Sequence, residues 1–349
     1  MAHREGITTH AHDWTMIKAS GLIENQNVIT IPASTPVEEA CDILIQNNIS
    51  SAPVYDDTVP TETNNHNAIV HPPSYVGMFD YGDLIAYILL VLHKTEQTST
   101  FEIRDIVQRA LQGQTVPVKL ASDLSRKNPF YSILPEATLL SAVEEFACGT
   151  HRVCVLEPNG TIKGILSQST VVRYLYDNRH QFPEIERVLG KTLRELHLGE
   201  TNVIGVAADA SVLDALSQMS HHGVSSVAVI GNGDVVLGNI SMTDVKHVMK
   251  SYRHQLLWNT CFQFVGVVRT QQGIIDGQDR LPVFDVRPDT TLGFTVAKLL
   301  ATKAHRVWVT DERERAISVV SLTDVIRAFA STVGIEVSQR RGSLAKPLG

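Results

Sequence analysis

Apolar residues recur along the chain in a pattern that appears four times: a short apolar strand, a helix with one apolar face, two apolar strands around a turn, and a second helix. The third copy is the clearest. Val203 to Val206 reads as the first strand, and Ala210 to Met219 follows with Val212, Ala215, Leu216 and Met219 at the spacing that lines one helical face. Ser226 to Ile230 and Val235 to Ile240 read as strands flanking Gly231-Asn232-Gly233-Asp234, a hairpin signal because these turn residues tolerate left-handed backbone. A second helix is expected from Thr243.

The copies hold a common register. Arg152 and Thr170, Ser226 and Asp244, and Arg306 and Asp324 are each 18 residues apart. Ser51 and Asp83 are 32 apart, and the 14 additional residues fall in the polar stretch Thr58 to Pro73, which reads as a mobile loop inserted into the first hairpin. A unit this small buries too little surface alone, so the four should pair and stack. Units one and three carry Ser50-Ser51 and Ser225-Ser226 where units two and four carry His151-Arg152 and His305-Arg306. That alternation predicts two tandem pairs. The expected layout is a disordered or extended lead (1–20), unit one (21–93, insertion 58–73), a linker (94–127), unit two (128–180), a linker (181–201), unit three (202–251), a linker (252–280), unit four (281–331) and a flexible tail (332–349).

Composition narrows the class of protein. A chain of 349 residues, 43% hydrophobic, can bury a large core, and a net charge of -7 argues against nucleic acid as the main partner. The four cysteines contain no Cys-x-x-Cys pair, the start lacks the apolar run of a signal peptide, and the longest apolar run, Leu84 to Leu92, falls well short of the ~20 residues that span a bilayer. A soluble protein of the cytoplasm and nucleus is expected, with no membrane partner. Cys148, His151 and Cys154 imitate metal-ligand spacing, but Cys154 alternates with Val153 and Val155 as in a strand, so no metal site is expected. No paired-carboxylate, Gly-x-Ser-x-Gly or phosphate-loop motif appears, so the chain reads as non-enzymatic.

The last strand of each unit runs into Gly77-Met78-Phe79-Asp80-Tyr81-Gly82-Asp83, Gly164-Ile165-Leu166-Ser167-Gln168-Ser169-Thr170, Gly238-Asn239-Ile240-Ser241-Met242-Thr243-Asp244 or Val319-Val320-Ser321-Leu322-Thr323-Asp324. A five-element unit ending in Ser-x-Thr-Asp resembles the CBS domain, two of which form a Bateman module, and the resemblance covers about residues 20–331. It implies an α/β (α+β) chain whose four CBS repeats form two Bateman modules in a pseudo-fourfold disk. Proteins with four such units include the gamma subunit of AMP-activated protein kinase and the fungal sds-type cell-cycle proteins linked to PP2A-type phosphatases. His12-Asp13-Trp14, Asp244-Val245-Lys246-His247-Val248, Asn259-Thr260-Cys261 and Ala301 to Trp308 are similar to the second group. Ser50-Ser51 stands where the kinase subunit tends to carry arginine.

The resemblance implies a regulatory protein that takes AMP, ADP or ATP as ligand and acts on a PP2A-type phosphatase in cell-cycle and nutrient response. A gamma-type subunit bound to kinase alpha and beta chains, and a scaffold without ligand, are the alternatives. A carboxylate at a helix mouth can accept both ribose hydroxyls, which makes Asp83, Asp244 and Asp324 candidates; Thr243-Asp244 and Thr323-Asp324 also read as plain helix N-caps. His151-Arg152 and His305-Arg306 suit phosphate oxygens, or alternatively a surface salt bridge, with Ser225, Ser226, Ser241, Ser321 and Thr323 as added hydroxyl donors. Thr170, lacking a carboxylate, is expected to leave its site weak or empty. Ser343, two residues after Arg340-Arg341, is either a phosphoacceptor or part of an ordinary basic tail.

Overall fold

Each apolar run becomes an element of a three-stranded sheet backed by helices. The computed structural model describes residues 13–58, 74–92, 101–198, 203–249, 253–276 and 284–335. Unit one comprises β1 (Ile31–Pro32), α1 (Val37–Gln46), β2 (Ser51–Tyr55), β3 (Tyr75–Asp80) and α2 (Tyr81–Val91), followed by α3 (Phe101–Leu111) and α4 (Val118–Ala121). Unit two has β4 (Ser132–Ile133), α5 (Leu139–Ala147), β5 (Arg152–Leu156), β6 (Ile162–Ser167) and α6 (Gln168–Asp177), then α7 (Pro183–Leu189). Unit three has β7 (Gly205–Ala207), α8 (Val212–His221), β8 (Ser226–Ile230), β9 (Val236–Ser241) and α9 (Lys246–Met249), then α10 (Cys261–Asp276). Unit four closes the set with β10 (Asp285–Val286), α11 (Leu292–Thr302), β11 (Arg306–Thr310), β12 (Ala316–Ser321) and α12 (Leu322–Ser331).

In every sheet the first strand pairs parallel with the second and the second antiparallel with the third, with one register shift at the outer end of the hairpin. The register places Ser51 opposite Asp80, Arg152 opposite Ser167, Ser226 opposite Ser241 and Arg306 opposite Ser321. Most of the first hairpin's insertion, residues 59–73, lies outside the described residues, yet β2 and β3 pair across its base. The hairpin of unit three turns through Gly233 and Asp234, at φ 72° and 63°, as its Gly-Asn-Gly-Asp sequence predicts.

The units meet through two kinds of face. Sheets pair one with two and three with four: Tyr75 stacks on Phe130 with ring centroids 5.2 Å apart, and Trp308 is buried with Ala228 and Val236. Helices pair one with three, α2 against α8, and two with four, α5 against α12. The two large apolar cores follow the helix pairs, one joining units one and three around Phe79, Leu84 and Phe264, the other joining units two and four around Phe146, Phe182 and Phe329. The tandem pairing read from the Ser-Ser and His-Arg alternation is therefore the sheet pairing, while most apolar burial runs across it.

Three expectations about boundaries need correction. The lead is not extended throughout: Asp13 caps a 3-10 turn at Trp14–Met16, and Trp14 is fully buried in the core of units two and four, an indole whose removal would cost ~3–5 kcal/mol. Residues 1–12 lie outside the described residues. The linkers are also not mere connectors, because the N-cap of each unit's first helix is bridged by a segment from elsewhere in the chain. Thr138 pairs with Lys18, Pro36 with Pro117, Ser211 with Thr260 and Thr291 with Thr192. Finally, the second helices open slightly earlier than the sequence suggested: Ser241 caps a 3-10 turn, Met242–Val245, that leads into α9, and Ser321 caps α12, which places Asp244 and Asp324 at N3.

Candidate functional site

The inner ends of the eight hairpin strands converge, and the second helices start there. In units three and four each helix mouth is a capping box. Asp244 Oδ2 accepts from the Ser241 N–H and hydroxyl, both at 2.7 Å, and Asp324 Oδ2 accepts from the Ser321 N–H at 2.8 Å and its hydroxyl at 2.7 Å. Only one oxygen of each carboxylate serves the cap. The other, Asp324 Oδ1, lies 3.8 Å from the Arg327 guanidinium. Cap and ligand are thus compatible roles for one aspartate.

Unit two keeps only the forward half of the box: Thr170 N–H donates to Ser167 Oγ at 3.2 Å, and the two hydroxyls lie 2.9 Å apart. Unit one has the carboxylate but spends all of it. Asp83 Oδ2 accepts from the Asp80 N–H at 3.0 Å and Oδ1 from the Ser125 N–H at 2.9 Å, leaving the residue 1% exposed. Burial, then the neighbouring Asp80 charge, raise the Asp83 pKa well above the usual carboxylate range. Of the three sequence candidates, Asp244 and Asp324 keep a carboxylate oxygen beyond the cap, and Asp83 is sealed beneath Ser125.

The His-Arg and Ser-Ser positions explain each other. An Arg152 guanidinium nitrogen donates to the hydroxyls of Ser50 and Ser51, and Arg306 donates to Ser225. Gln168 completes the link between units two and four, its Nε2 donating to Thr323 Oγ1 at 2.9 Å and to the Thr150 carbonyl at 3.0 Å. Sequence reasoning missed Gln168, since nothing in a single unit signals a partner in another.

The centre gathers basic side chains, of which the arginines and Lys127 carry the charge while burial keeps the histidines neutral. The pKa of His151 is pushed down to about 3, first by burial and then by the charges of Arg152 and His305, with Arg306 adding to them. His305, although more exposed, is lowered by burial, Arg152 and Arg306. Lys127, which the sequence assigned to a linker, is pushed down to about 8 by burial, with Arg306 pulling the same way and Asp80 opposing. Its Nζ donates to the carbonyls of Met219 and Val224 at 3.3 and 3.0 Å, at and just beyond the last turn of α8. Arg327 and Arg173 make the matching contacts, to Ala147 O at the end of α5 and Leu300 O in the last turn of α11. Both lie three residues after their N3 residue; the same offset from Asp83 gives Ala86, too short to reach, and Lys127 enters beside it.

Among the buried polar atoms of this region with no partner in the described residues are Arg152 Nε and the hydroxyl of Ser226, itself 2% exposed. A guanidinium N–H and a hydroxyl left bare beside His151 and Arg306 are suited to an anionic oxygen acceptor. Cys154 is buried within β5, its thiol pushed up to about 12 by burial, and the described residues hold no cluster of metal-ligating side chains. Ser343 lies outside the described residues.

The family model for the CBS domain matches residues 21–60, 121–177, 195–251 and 279–331, more than half of the chain. The chain belongs to the CBS-domain family. Its CBS units are similar to those of curated fungal proteins: Protein sds23 of Neosartorya fischeri, 38% identical over 303 residues (86% of this chain, 54% of the relative), Protein SDS23 of Kluyveromyces lactis, 35% over 348 (92% and 64%), and Protein SDS24 of Saccharomyces cerevisiae, 36% over 324 (89% and 58%). The chain spans between about half and two thirds of the length of these relatives. In three dimensions the four CBS units resemble protein MJ1225 of Methanocaldococcus jannaschii, described as an archaeal homologue of g-AMPK, with a TM-score of 0.64 at 14% identity, covering 90% of this chain and 100% of that one. At that identity the likeness speaks for the four-unit disk fold.

Proposed function

We propose that this chain is a non-enzymatic regulatory body that binds adenine nucleotides, with ribose held by Asp244 or Asp324 and phosphates by the central cations. The observation carrying this reading is the convergence of His151, Arg152, His305, Arg306 and Lys127 around the unpartnered Arg152 Nε and Ser226 hydroxyl. Such a cluster repels itself and is relieved by a bound polyanion. Ser225, Ser241, Ser321 and Thr323 edge the same region, and AMP, ADP and ATP all present phosphates that it could take. Thr170 offers no carboxylate and Asp83 offers no open oxygen, so one or two occupied clefts are expected.

Nucleotide occupancy would bias how the disk presents its rim to a partner. Resemblance to the sds-type proteins supports a PP2A-type phosphatase, regulated in the cell cycle and nutrient response, as that partner. Calorimetric titration with AMP, ADP and ATP tests the binding claim: Arg306→Ala combined with Asp324→Ala should weaken binding at least about a hundredfold, since each loses a charge-assisted contact. Unchanged affinity in the double variant would remove these residues from the site.

The disk-fold likeness to MJ1225 favours a second reading, a gamma-type subunit of a heterotrimeric kinase. Affinity purification separates the two. Kinase alpha and beta chains without a phosphatase subunit would replace the first reading with the second.

A further inference from the structure

The N-cap of the second helix is Ser167, Ser241 and Ser321 in units two, three and four, but Asp80 in unit one. Serine caps a helix about as well as aspartate, so the helix itself does not call for the charge. The charge also carries a local cost: Asp80 and Asp83 form a capping box of two carboxylates, 4% and 1% exposed, in which the Asp80 charge disfavours ionisation of Asp83. Asp80 is nevertheless held firmly. Its Oδ1 accepts from the N–H groups of Gly82 at 2.7 Å and Asp83 at 3.0 Å, and its Oδ2 from Asn128 Nδ2 at 2.5 Å.

What Asp80 faces is the cationic centre. It sits opposite Ser51 in the sheet, and Ser51 receives Arg152. Asn128 follows Lys127 directly, so the segment that clamps Asp80 also delivers a cation beside it. The Asp80 charge acts on His151, Arg152 and Lys127 alike, in each case opposing the depression that burial causes. The space around α2 is also filled: between Gly82, Ala86, Ser125, Lys127, Met219 and Met242 only about 30 Å³ is left, room for roughly one water.

We propose that Asp80 is a resident anion of the central cluster, and that its fixed negative charge selects against ligands carrying longer phosphate chains. The inference rests on the anion-binding reading of the centre given above. A single phosphate can sit towards Arg306, Ser225 and Ser226, away from unit one. A longer chain brings more charge, and one that also engages the unpartnered Arg152 Nε runs towards Ser51 and hence Asp80, so repulsion grows with each phosphate.

The test is calorimetric titration of the full chain and of Asp80→Asn with orthophosphate, tripolyphosphate, AMP and ATP at one ionic strength. The replacement amide can still accept from Gly82 and Asp83, and Asn128, whose Oδ1 has no partner, can turn its own amide to meet it. Tripolyphosphate and ATP should bind about tenfold tighter to the variant, orthophosphate and AMP by less than about threefold. Equal changes for all four ligands, as a merely structural cap would give, overturn the proposal; so does no change, or no anion binding by either protein. Tighter tripolyphosphate with no binding of AMP or ATP would sink the nucleotide reading and leave Asp80 as an anion filter. Both nucleotides bound with equal gains would do the reverse. Should Asp80→Asn fail to fold, Asp80→Ser, the residue type of the other three units, carries the same expectations.

Discussion

Units one and four write nearly the same sentence at the mouth of the second helix and mean different things by it. In unit four Ser321 caps, Asp324 returns one oxygen to the cap, and the other oxygen remains beside Arg327. In unit one Asp80 caps, Asp83 returns one oxygen, and Ser125 takes the other. The difference begins three residues later. Where unit four places Arg327 against the end of a partner helix, unit one has Ala86, and the linker supplies Ser125, Lys127 and Asn128 in its place. A capping box therefore specifies a helix start, whereas its use as a ligand site depends on whether another part of the chain has already claimed the second oxygen.

The comparison can be broken most forcefully with acid. His151 is held neutral in the folded state at about 3, below the ordinary 6.5, so between those values the unfolded chain binds more protons than the folded one. Stability should accordingly be full above about pH 6.5 and fall towards pH 3, with a slope on the order of 1 kcal/mol per pH unit, read from chemical denaturation across that range. Asp83 works with the opposite sign: its folded pKa is raised, so its contribution is greatest below the unfolded carboxylate value and is lost as pH rises through the folded one. Asp83→Asn should remove that opposition and steepen the acid limb, and an unchanged profile would show that unit one's seal does not hold a proton.

At neutral pH, Asp83→Ala should cost ~2–4 kcal/mol, because the buried N–H groups of Asp80 and Ser125 lose their acceptor. Asp324→Ala should cost only about 1 kcal/mol of cap energy while abolishing nucleotide binding in its cleft. Urea unfolding paired with calorimetry gives both readings, and equal stability losses would erase the distinction drawn here. The smallest effect is expected from Thr170→Asp, which supplies unit two with a carboxylate at a helix N-terminus: stability within ~0.5 kcal/mol of the parent and, if the carboxylate is what the cleft lacks, one additional nucleotide in the stoichiometry.

Much of this is legible in the sequence alone. The 18-residue register located the hairpins and helix mouths of units two to four, and the Ser-Ser and His-Arg alternation identified the sheet pairs because Arg152 and Arg306 each reach the serines of the neighbouring unit. What escaped shares one physical cause. Lys127, Asn128, Gln168 and Trp14 act on units distant in sequence, and periodicity within a unit carries no information about a partner supplied by another segment. The helix starts were misplaced for a more local reason: in Ser-x-Thr-Asp both the serine and the threonine are good caps, and only the reciprocal bond from the aspartate back to Ser241 or Ser321 chooses between them.

The four bridged helix caps also govern how the chain can be made. Lys18 is synthesised well before Thr138, the residue it pairs with, on the order of ten seconds earlier at ~5–20 residues per second. During that interval Trp14 and Ala19 have no core to enter, and unit one emerges without the Pro117 segment that completes α1. A nascent chain of this protein must therefore carry unburied apolar surface until the second unit is out. An isolated unit cut at its apparent sequence boundaries would remain in that condition permanently.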